Sequence, residues 1–367
     1  ADRSPGEFTQ IDIEMSFVKR DDVLEMCEGL MGHVFKKALG VTLPGHFLRL
    51  SYDEAMDLYG SDKPDLRFDM AMRDFTPYVD ACSFQAFKDA VAAGGTAKAL
   101  VVPGKADYSR KQIEELEAQA KVYKAKGMAW MKVAKAADGG TVLEGGASKF
   151  FAANAAAVVT GLGVKPGDLV LMVADAKAKV ACTSLGAVRS KLGRDLGLLN
   201  PNEFKFAWIV DFPMFEYNEE EGRWEAAHHM FTMPQEKYHA TLESDPGSVK
   251  GDLYDLVLNG YEIASGSIRI HDPELQLRIF KIVGFSEEEA QRKFGFLVEA
   301  FKYGPPPHGG IAPGFDRLVM LMAGETSIKE VIAFPKNSFA VSPMDQSPNE
   351  VDEKQLREVH IRIVPKE

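Results

Sequence analysis

Apolar and polar residues recur with two different periods along the chain, and these periods predict its elements. Between residues 21 and 39 apolar side chains return every three or four positions, which predicts a helix capped by Asp21 or Asp22. Alternating or β-branched patterns predict strands, among them 7–17, 128–134 and 168–175. Because few helices separate the strands near the two ends of the chain, the pattern favours an antiparallel sheet over a doubly wound one.

The middle of the chain has a different texture, which predicts a separate domain. From about residue 80 to residue 197 alanine becomes frequent, and helix and strand patterns alternate. Ser109 and Gln112 form a capping-box pattern at the start of one predicted helix. The helices predicted there are 110–126, 149–160 and 183–193. We therefore predict an α+β fold with a core in two parts, 1–79 and 198–367, and an inserted α+β domain at 80–197.

Composition narrows the class of protein only slightly. Hydrophobic residues make up 46 % and charged residues 26 %, which is ordinary for a soluble globular protein. The net charge of -11 gives no general attraction to nucleic acid, although a local basic face would suffice. The cysteines, Cys27, Cys82 and Cys182, are widely spaced, which argues against a disulfide framework and favours a reducing cytosol. Without a long apolar run or a signal-peptide pattern, we expect neither a membrane span nor export.

The stretch LYDLVLNGYEIASGSIRIH sets two carboxylates, Asp255 and Glu262, into an apolar strand pattern. Burying them is costly unless a cation or a donor meets them, and Mg²⁺ favours one or two carboxylates together with phosphate oxygens. Their odd spacing would put them on opposite faces of a regular strand, but one extra residue near Asn259-Gly260 would restore the parity. The alternative is a pair of solvent-facing acids on an edge strand.

Two arginines are the candidate anion-binding residues. Arg269 can grip a carboxylate with two hydrogen bonds, although a structural ion pair is equally compatible with its position. We expect a turn at 264–266 that brings Arg269 back on a neighbouring strand, facing the same pocket as the acids. Arg317 lies in the first turn of a predicted helix after a glycine-rich loop, where an anion is favoured. A plain helix cap with a surface arginine is the commoner alternative.

Two further groups of residues are weaker candidates. His228 and His229 are adjacent and would point to different sides of a regular element, so one core and one exposed histidine is the simpler interpretation. Phe8, Gln10 and Asp12 share one face of the first predicted strand by parity. An exposed strand face would also carry such residues.

Taken together, these motifs resemble the class II aminoacyl-tRNA synthetases. ADRSPGEFTQIDIEMSF resembles the second half of motif 2, and PPPHGGIAPGFDRLVML resembles motif 3. Within that class the chain resembles the bacterial-type aspartyl-tRNA synthetases along essentially its whole length, in FTQID, YGSDKPDLR, AHHMFT, NGYE, GSIRIH and EVIAFPK. The alanine-rich insertion is similar to the GAD domain of these enzymes.

The resemblance implies a fold and an activity. The family fold is an antiparallel sheet flanked by helices, and the family reaction has two steps. Aspartate attacks ATP to give aspartyl-adenylate and pyrophosphate, and the aspartyl group then passes to tRNA(Asp), with tRNA(Asn) as a second candidate acceptor. The resemblance also implies Mg²⁺ with the ATP, a cytoplasmic location and a homodimer in the full-length protein. The alternatives are a non-catalytic tRNA-binding relative, which the retained charges oppose, and an asparagine or lysine ligase, which Arg269 opposes.

The resemblance also implies roles for individual residues. The aspartate-binding set is Gln10, Asp12, His228 and Arg269. The ATP-binding set is Ser4, Phe8, Glu262, Gly314, Phe315, Asp316 and Arg317, with Phe8 stacking on adenine. Asp255 and Glu262 would hold Mg²⁺, and Arg269 and Arg317 are the residues expected to act in catalysis.

Some positions depart from the family pattern. Ser4 stands where many relatives carry glutamine, and Gly6 lengthens the same loop by one residue. IASGS replaces the commoner triple-glycine sequence, and AHHMFTMP replaces HHPFTSP. The motif 2 arginine, motif 1 and the anticodon-binding barrel are expected before Ala1. We therefore expect this chain to be a fragment that is inactive alone.

Overall fold

A computed structural model describes residues 7–137 and 139–364, in which three segments of the chain form the elements. The first segment forms β1 (Ile13–Ser16), α1 (Arg20–Leu39), β2 (Leu48–Ser51) and α2 (Tyr52–Tyr59). The middle segment forms β3 (Arg73–Asp74), α3 (Gln85–Ala92), β4 (Thr96–Val102), α4 (Arg110–Val122), β5 (Ala129–Lys135), β6 (Thr141–Glu144), α5 (Ala155–Leu162), β7 (Leu169–Asp175) and α6 (Ala178–Asp195). The last segment forms β8 (Phe206–Val210), β9 (Phe215–Asn218), β10 (Arg223–Ala226), β11 (Leu253–Leu258), β12 (Tyr261–Ile268), α7 (Pro273–Ile282), α8 (Glu287–Phe301), β13 (His308–Pro313), α9 (Phe315–Met322) and α10 (Glu353–Glu358).

The first and last segments together build a six-stranded sheet, which we call the core sheet. Its strand order is β1-β13-β12-β11-β8-β2, and every neighbouring pair is antiparallel except β2 with β8. The predicted antiparallel α+β fold is thereby confirmed. One face of the core sheet packs against α1 and α9, and the buried residues there include Leu24, Phe35, Trp208, Tyr254, Leu256 and Leu318.

Helix α1 follows the predicted apolar stripe, but its cap differs from the prediction. The N-cap residue is Lys19, and the side chain of Asp22, at the third helical position, accepts a hydrogen bond from the Lys19 N–H at 2.7 Å. Neither Asp21 nor Asp22 is therefore the cap residue. The helix ends at Gly40, whose φ of 70° is a left-handed conformation that glycine adopts without strain.

The middle segment builds a second, five-stranded sheet in the order β3-β4-β7-β5-β6. Helices α4 and α6 cover one face and α3 and α5 cover the other, so β7 is buried on both faces. The helix predicted at 110–126 ends at Val122 because Lys124 takes a positive φ of 74°. The segment predicted as a helix at 149–160 begins as the 3-10 helix Ser148–Asn154, and α5 follows. β3, at Arg73–Asp74, already belongs to this second sheet.

The two sheets are joined by a close junction between α2 and α6. A Cβ added at Gly60 would lie 2.1 Å from the Cys182 carbonyl oxygen, and one added at Gly186 would lie 2.4 Å from the Tyr59 carbonyl oxygen. Only glycine allows such an approach of two backbones. The junction brings residues of both segments to one cavity. Within residues 7–137 and 139–364, no helix is long and apolar enough to span a membrane.

Candidate active site

The site is built on the hairpin of β11 and β12. Asn259 and Gly260 have φ values of 52° and 85°, the two consecutive positive values of a tight hairpin turn. The turn predicted at 264–266 is wrong, because these residues lie inside β12 and pair with both β11 and β13. Gly266 serves close approach instead, since a Cβ there would lie 2.1 Å from the Gly310 carbonyl oxygen.

A β-bulge puts the two acids on the same face of the hairpin. Asp255 pairs with Ser265, and Val257 pairs with Glu262, with the register shift between Leu256 and Val257. Cross-strand partners point to the same face, and so do Asp255 and Val257 because they are two residues apart. The predicted shared face of the two acids is confirmed, but the predicted position of the extra residue is wrong. The extra residue is Ile263 in β12, whereas Asn259-Gly260 forms the turn between the two strands.

Asp255 is a buried carboxylate whose hydrogen bonding is incomplete. It is 3 % exposed, and its Oδ1 has no hydrogen-bond partner among the described residues. Burial first and the charge of Glu262 second raise the pKa of Asp255 to about 7, against the lowering effect of a hydrogen bond with Ser265. An unpaired buried carboxylate is costly, so this position favours a cation beside it.

The two carboxylates fit a divalent cation that is held partly by the protein and partly by phosphate groups of a substrate. Glu262 and Asp255 share one face, and Lys63 donates to Glu262 Oε2 at 3.2 Å. In the described part of the chain, no group of three or more His, Cys, Asp or Glu residues could hold a metal. Mg²⁺ does not need such a cage, because it uses one or two carboxylates together with substrate phosphates. The unpartnered Oδ1 of Asp255 is the observation that supports this fit.

Arg269 lies beyond the far end of β12 and is engaged by other side chains. Its Nε and Nη2 donate to the two carboxylate oxygens of Glu14 at 3.2 and 3.1 Å. Its Nη1 donates to Ser267 Oγ at 2.6 Å and lies 3.4 Å from His229 Nε2. Parity puts Arg269 on the face of Ser267 and Ser265, which is the face of the acids. The predicted turn before Arg269 is absent, because β12 runs without interruption to Ile268. The ion-pair partner of Arg269 is Glu14.

The two adjacent histidines point to different parts of the site, as expected from their spacing. His229 approaches Arg269, and its pKa is lowered to about 4 by burial first and by the Arg269 cation second. His228 instead packs its ring edge against Phe212, with centroids 4.9 Å apart, and lies within electrostatic reach of Glu262. Of the two histidines, the structure therefore brings His229 close to the guanidinium, and not His228, which the resemblance assigns to aspartate binding.

Most candidate ATP-binding residues meet at a cavity of about 280 Å³ beside the bulge. Its lining includes Phe8, Gln10, Glu262, Gly314, Asp316 and Arg317. Arg317 Nη1 donates to the carbonyl oxygen of Glu262, and Asp316 accepts a hydrogen bond from the Thr9 N–H at 2.6 Å. Phe315 is 45 % exposed and lies outside this lining, and Ser4 lies outside the described residues.

The segment before β1 runs along β13 and α9. Gln10 forms an isolated bridge with Gly314, and Ile11 N–H donates to the Pro313 carbonyl oxygen at 2.8 Å. Parity puts Gln10 and Asp12 on the side of Glu14, which Arg269 holds. Glu14 is a site residue that sequence reasoning missed, although it continues the Phe8, Gln10, Asp12 face by two residues. Lys63 was also missed, because nothing local signals its contact with Glu262.

The site combines a carboxylate pair at one end of the hairpin face with an arginine fork at the other end. Glu262 and Arg269 are seven residues apart on an extended strand, on the order of 20 Å. A carboxylate pair at one end suits metal-bound phosphates, and an arginine fork at the other end suits a carboxylate. The family model described as tRNA synthetases class II (D, K and N) matches residues 1–338, and the chain belongs to this family.

Named relatives cover nearly all of this chain but only part of their own length. The aspartate–tRNA(Asp/Asn) ligase of Treponema denticola is 69 % identical over 99 % of this chain and 61 % of the relative. The ligase of the same name from Treponema pallidum subsp. pallidum is 56 % identical over 99 % of this chain and 59 % of its own. The chain thus spans about 60 % of the length of these relatives. A solved structure, Entamoeba histolytica asparaginyl-tRNA synthetase with asparaginyl-adenylate, aligns over 94 % of this chain and 50 % of its own at 14 % identity and a TM-score of 0.43.

Proposed function

We propose that the protein carrying this chain is an aspartate–tRNA ligase. It activates L-aspartate with ATP to give aspartyl-adenylate and transfers the aspartyl group to tRNA(Asp), with tRNA(Asn) as a second acceptor to be tested. The observation that carries this proposal is the charge order across the β11–β12 hairpin, where the acid pair lies towards the turn and the arginine fork lies beyond the other end of the same face. The names of the relatives support it.

The chain's own side chains would position the two reactants. Arg269 would hold the side-chain carboxylate of aspartate through N–H groups of its fork, with Gln10, Asp12 and His228 around the α-ammonium end. Phe8 would stack on adenine, and Arg317 with Gly314, Phe315, Asp316 and Ser4 would bind the nucleotide. Asp255 and Glu262 would hold Mg²⁺, which when bound neutralises phosphate charge. Positioning and charge stabilisation then carry the reaction.

The grip of Arg269 on Glu14 supports the choice of amino acid. It shows that the fork presents two N–H groups, at 3.2 and 3.1 Å, to the two oxygens of an anion. An asparagine side chain offers only one acceptor, and its NH₂ group would face another donor. The ammonium of a lysine substrate would be repelled by the positive charge of Arg269. The site therefore favours aspartate over asparagine and lysine.

The remaining features of the proposal come from the family resemblance. We infer a cytoplasmic homodimer in the full-length protein, and we infer that residues 80–197 are an inserted GAD-type domain between core parts 1–79 and 198–367. The non-catalytic alternative is opposed by Asp255, since a module without catalysis gains nothing from a buried, unpartnered carboxylate oxygen.

The test is ATP–pyrophosphate exchange by the full-length protein with aspartate, asparagine or lysine as the amino acid. We expect Mg²⁺-dependent exchange with aspartate and less than about one hundredth of that kcat/KM with the other two. Charging of purified tRNA(Asp) and tRNA(Asn) then determines the acceptors. Comparable exchange with asparagine or lysine, or no exchange with any of the three, would refute the proposal.

A further inference from the structure

The loop between α2 and β3, residues 60–72, crosses the turn of the β11–β12 hairpin. It packs directly on this turn, because a Cβ added at Gly260 would lie 3.3 Å from the Asp65 Cβ. From this loop Lys63 reaches the bulged part of β12, where its Nζ lies 3.2 Å from Glu262 Oε2. Lys63 thus contacts the acid pair from a loop outside the hairpin.

The backbone that presents Lys63 is held firmly by α6. The guanidinium of Arg189 is 1 % exposed and donates to the carbonyl oxygens of Asp65, Phe68, Asp69 and Met70 at 2.9 to 3.3 Å. It also lies over the Phe68 ring at 4.0 Å. Four carbonyl acceptors and an aromatic face fix both the guanidinium and the loop. Lys63 is therefore positioned by the fold.

The surroundings of Lys63 contain more negative than positive charge. Its Nζ also lies 3.8 Å from Asp62 Oδ1, and both Asp62 and Lys63 act electrostatically on Asp255. Its side chain is 40 % exposed and lines a cavity of about 630 Å³ between the core sheet and α6, whereas Glu262, which it contacts, lines the cavity of the candidate ATP-binding residues. The ammonium is thus beside the carboxylate that reaches this second cavity, and it is accessible to a ligand.

We propose that Lys63 is a phosphate-binding residue of this site, which holds a β- or γ-phosphate oxygen of ATP, and then pyrophosphate, beside Glu262. This inference rests on the proposed function and adds a residue to it. A cation such as Mg²⁺ brings carboxylate and phosphate oxygens together at about 2.1 Å from itself. A phosphate oxygen next to Glu262 is then within reach of the same ammonium, which has three donors to share.

The competing explanation is that Lys63 only neutralises Glu262. In that case its removal would leave the acid pair more negative and would strengthen Mg²⁺ binding without weakening phosphate binding. The two explanations therefore predict opposite changes in the affinity of the protein for Mg²⁺-bound pyrophosphate. This affinity can be measured without any amino acid, so the result is independent of the amino acid that the protein activates.

The experiment compares Lys63→Gln, Lys63→Arg and a matched control, Lys179→Gln, in the full-length protein. Lys179 lines the same cavity, but it pairs with Glu216 at 2.8 Å, away from the hairpin. Calorimetric titration with MgATP and with Mg²⁺ and inorganic pyrophosphate gives the affinities. Thermal unfolding checks that each variant is folded.

We expect Lys63→Gln to weaken the binding of both ligands about tenfold or more, and Lys63→Arg to retain most of the affinity. Lys179→Gln should bind both ligands as tightly as the unmodified protein does. In exchange assays the KM for ATP and pyrophosphate should rise while the KM for aspartate stays constant. Unchanged or tighter binding by Lys63→Gln would overturn the proposal, and so would a failure of the unmodified protein to bind either ligand. A failed aspartate specificity with intact Lys63 effects would refute only the proposed substrate.

Discussion

Two buried aspartates, Asp168 directly before β7 and Asp255 in β11, differ in their hydrogen bonding. In the second sheet, buried Asp168 accepts hydrogen bonds from the Gly104 and Lys165 N–H groups at 3.1 and 2.8 Å. In the core sheet, Asp255 is buried to a similar degree, but one carboxylate oxygen has no partner among the described residues. A satisfied buried acid stabilises the structure, whereas an unsatisfied one costs free energy that folding alone does not explain. The difference supports the proposal that the chemistry takes place at the core sheet.

The strand geometry differs in the same direction. The β4–β7 pair runs in regular register from Thr96 to Val102, with apolar side chains buried on both faces. The β11–β12 pair is interrupted by the bulge at Ile263, and one of its faces carries Ser265, Ser267 and the acids. A bulge changes which face a side chain occupies, and here it puts Glu262 on the same face as Asp255, which regular pairing would not do.

The largest expected effect comes from removing the charge of Asp255. Asp255→Asn should lower exchange activity about 100-fold or more, because the site loses one of the two carboxylates proposed to hold Mg²⁺. Its stability should remain equal or rise by about 1 kcal/mol, because a buried unpaired charge disappears. Asp168→Asn is the matched control, and we expect it to retain activity but lose about 1–2 kcal/mol of stability. Exchange assays measure the activity of each variant, and denaturant unfolding measures its stability. Equal changes of activity and stability in the two variants would remove the contrast between the sheets.

Two arginines give the second comparison. Arg269→Lys keeps the charge but loses the fork, so kcat/KM for aspartate should fall about 10- to 100-fold with little change in stability. Arg189→Lys cannot reach four carbonyls, so it should cost about 2–3 kcal/mol of stability and change aspartate kinetics less than about threefold. If Arg269→Lys instead lost stability and kept its aspartate kinetics, its pair with Glu14 would be only structural.

Local pattern predicted the elements well where one interaction dominates. The apolar stripe of α1 reflects burial of one helix face, and the continuous apolar run of β7 reflects burial of both strand faces; both agree with the structure. The cap of α1 did not follow the prediction, because Asp22 acts from the third helical position. The start of α5 was misassigned because alanine-rich sequence is compatible with both the 3-10 and the α conformation.

The candidate site was predicted as a set of residues but not as a set of contacts. Charged residues inside an apolar strand are visible in sequence, so Asp255, Glu262 and Arg269 could be found. The partners of two of them, Lys63 and Glu14, are 199 and 255 residues away in the chain and lack a local signal. The turn was misplaced because glycine serves both turns and close approach, and only neighbouring β13 shows which applies at Gly266.

The last expected effect is the acid sensitivity of β12, compared with that of the second sheet. His229 lies beside Arg269, and its pKa is lowered from 6.5 to about 4, whereas residues 73–197 contain no histidine. Between pH 6.5 and 4 the unfolded chain binds a proton at this position that the folded chain does not bind. The contribution of His229 to stability is therefore full above pH 6.5 and falls by up to about 3 kcal/mol on acidification, whereas Asp255, whose pKa is raised, contributes in the opposite direction.

Hydrogen exchange at pH 7.5 and pH 5, corrected for intrinsic rates, measures this difference element by element. On acidification, β12 should lose more protection in the unmodified protein than in His229→Gln, because glutamine does not titrate and the opposite contribution of Asp255 is common to both proteins. Protection of β4 and β7 should change equally in the two proteins. The same change of β12 protection in both proteins would mean that other groups control acid sensitivity. The histidine would then have no part in the difference between the two regions.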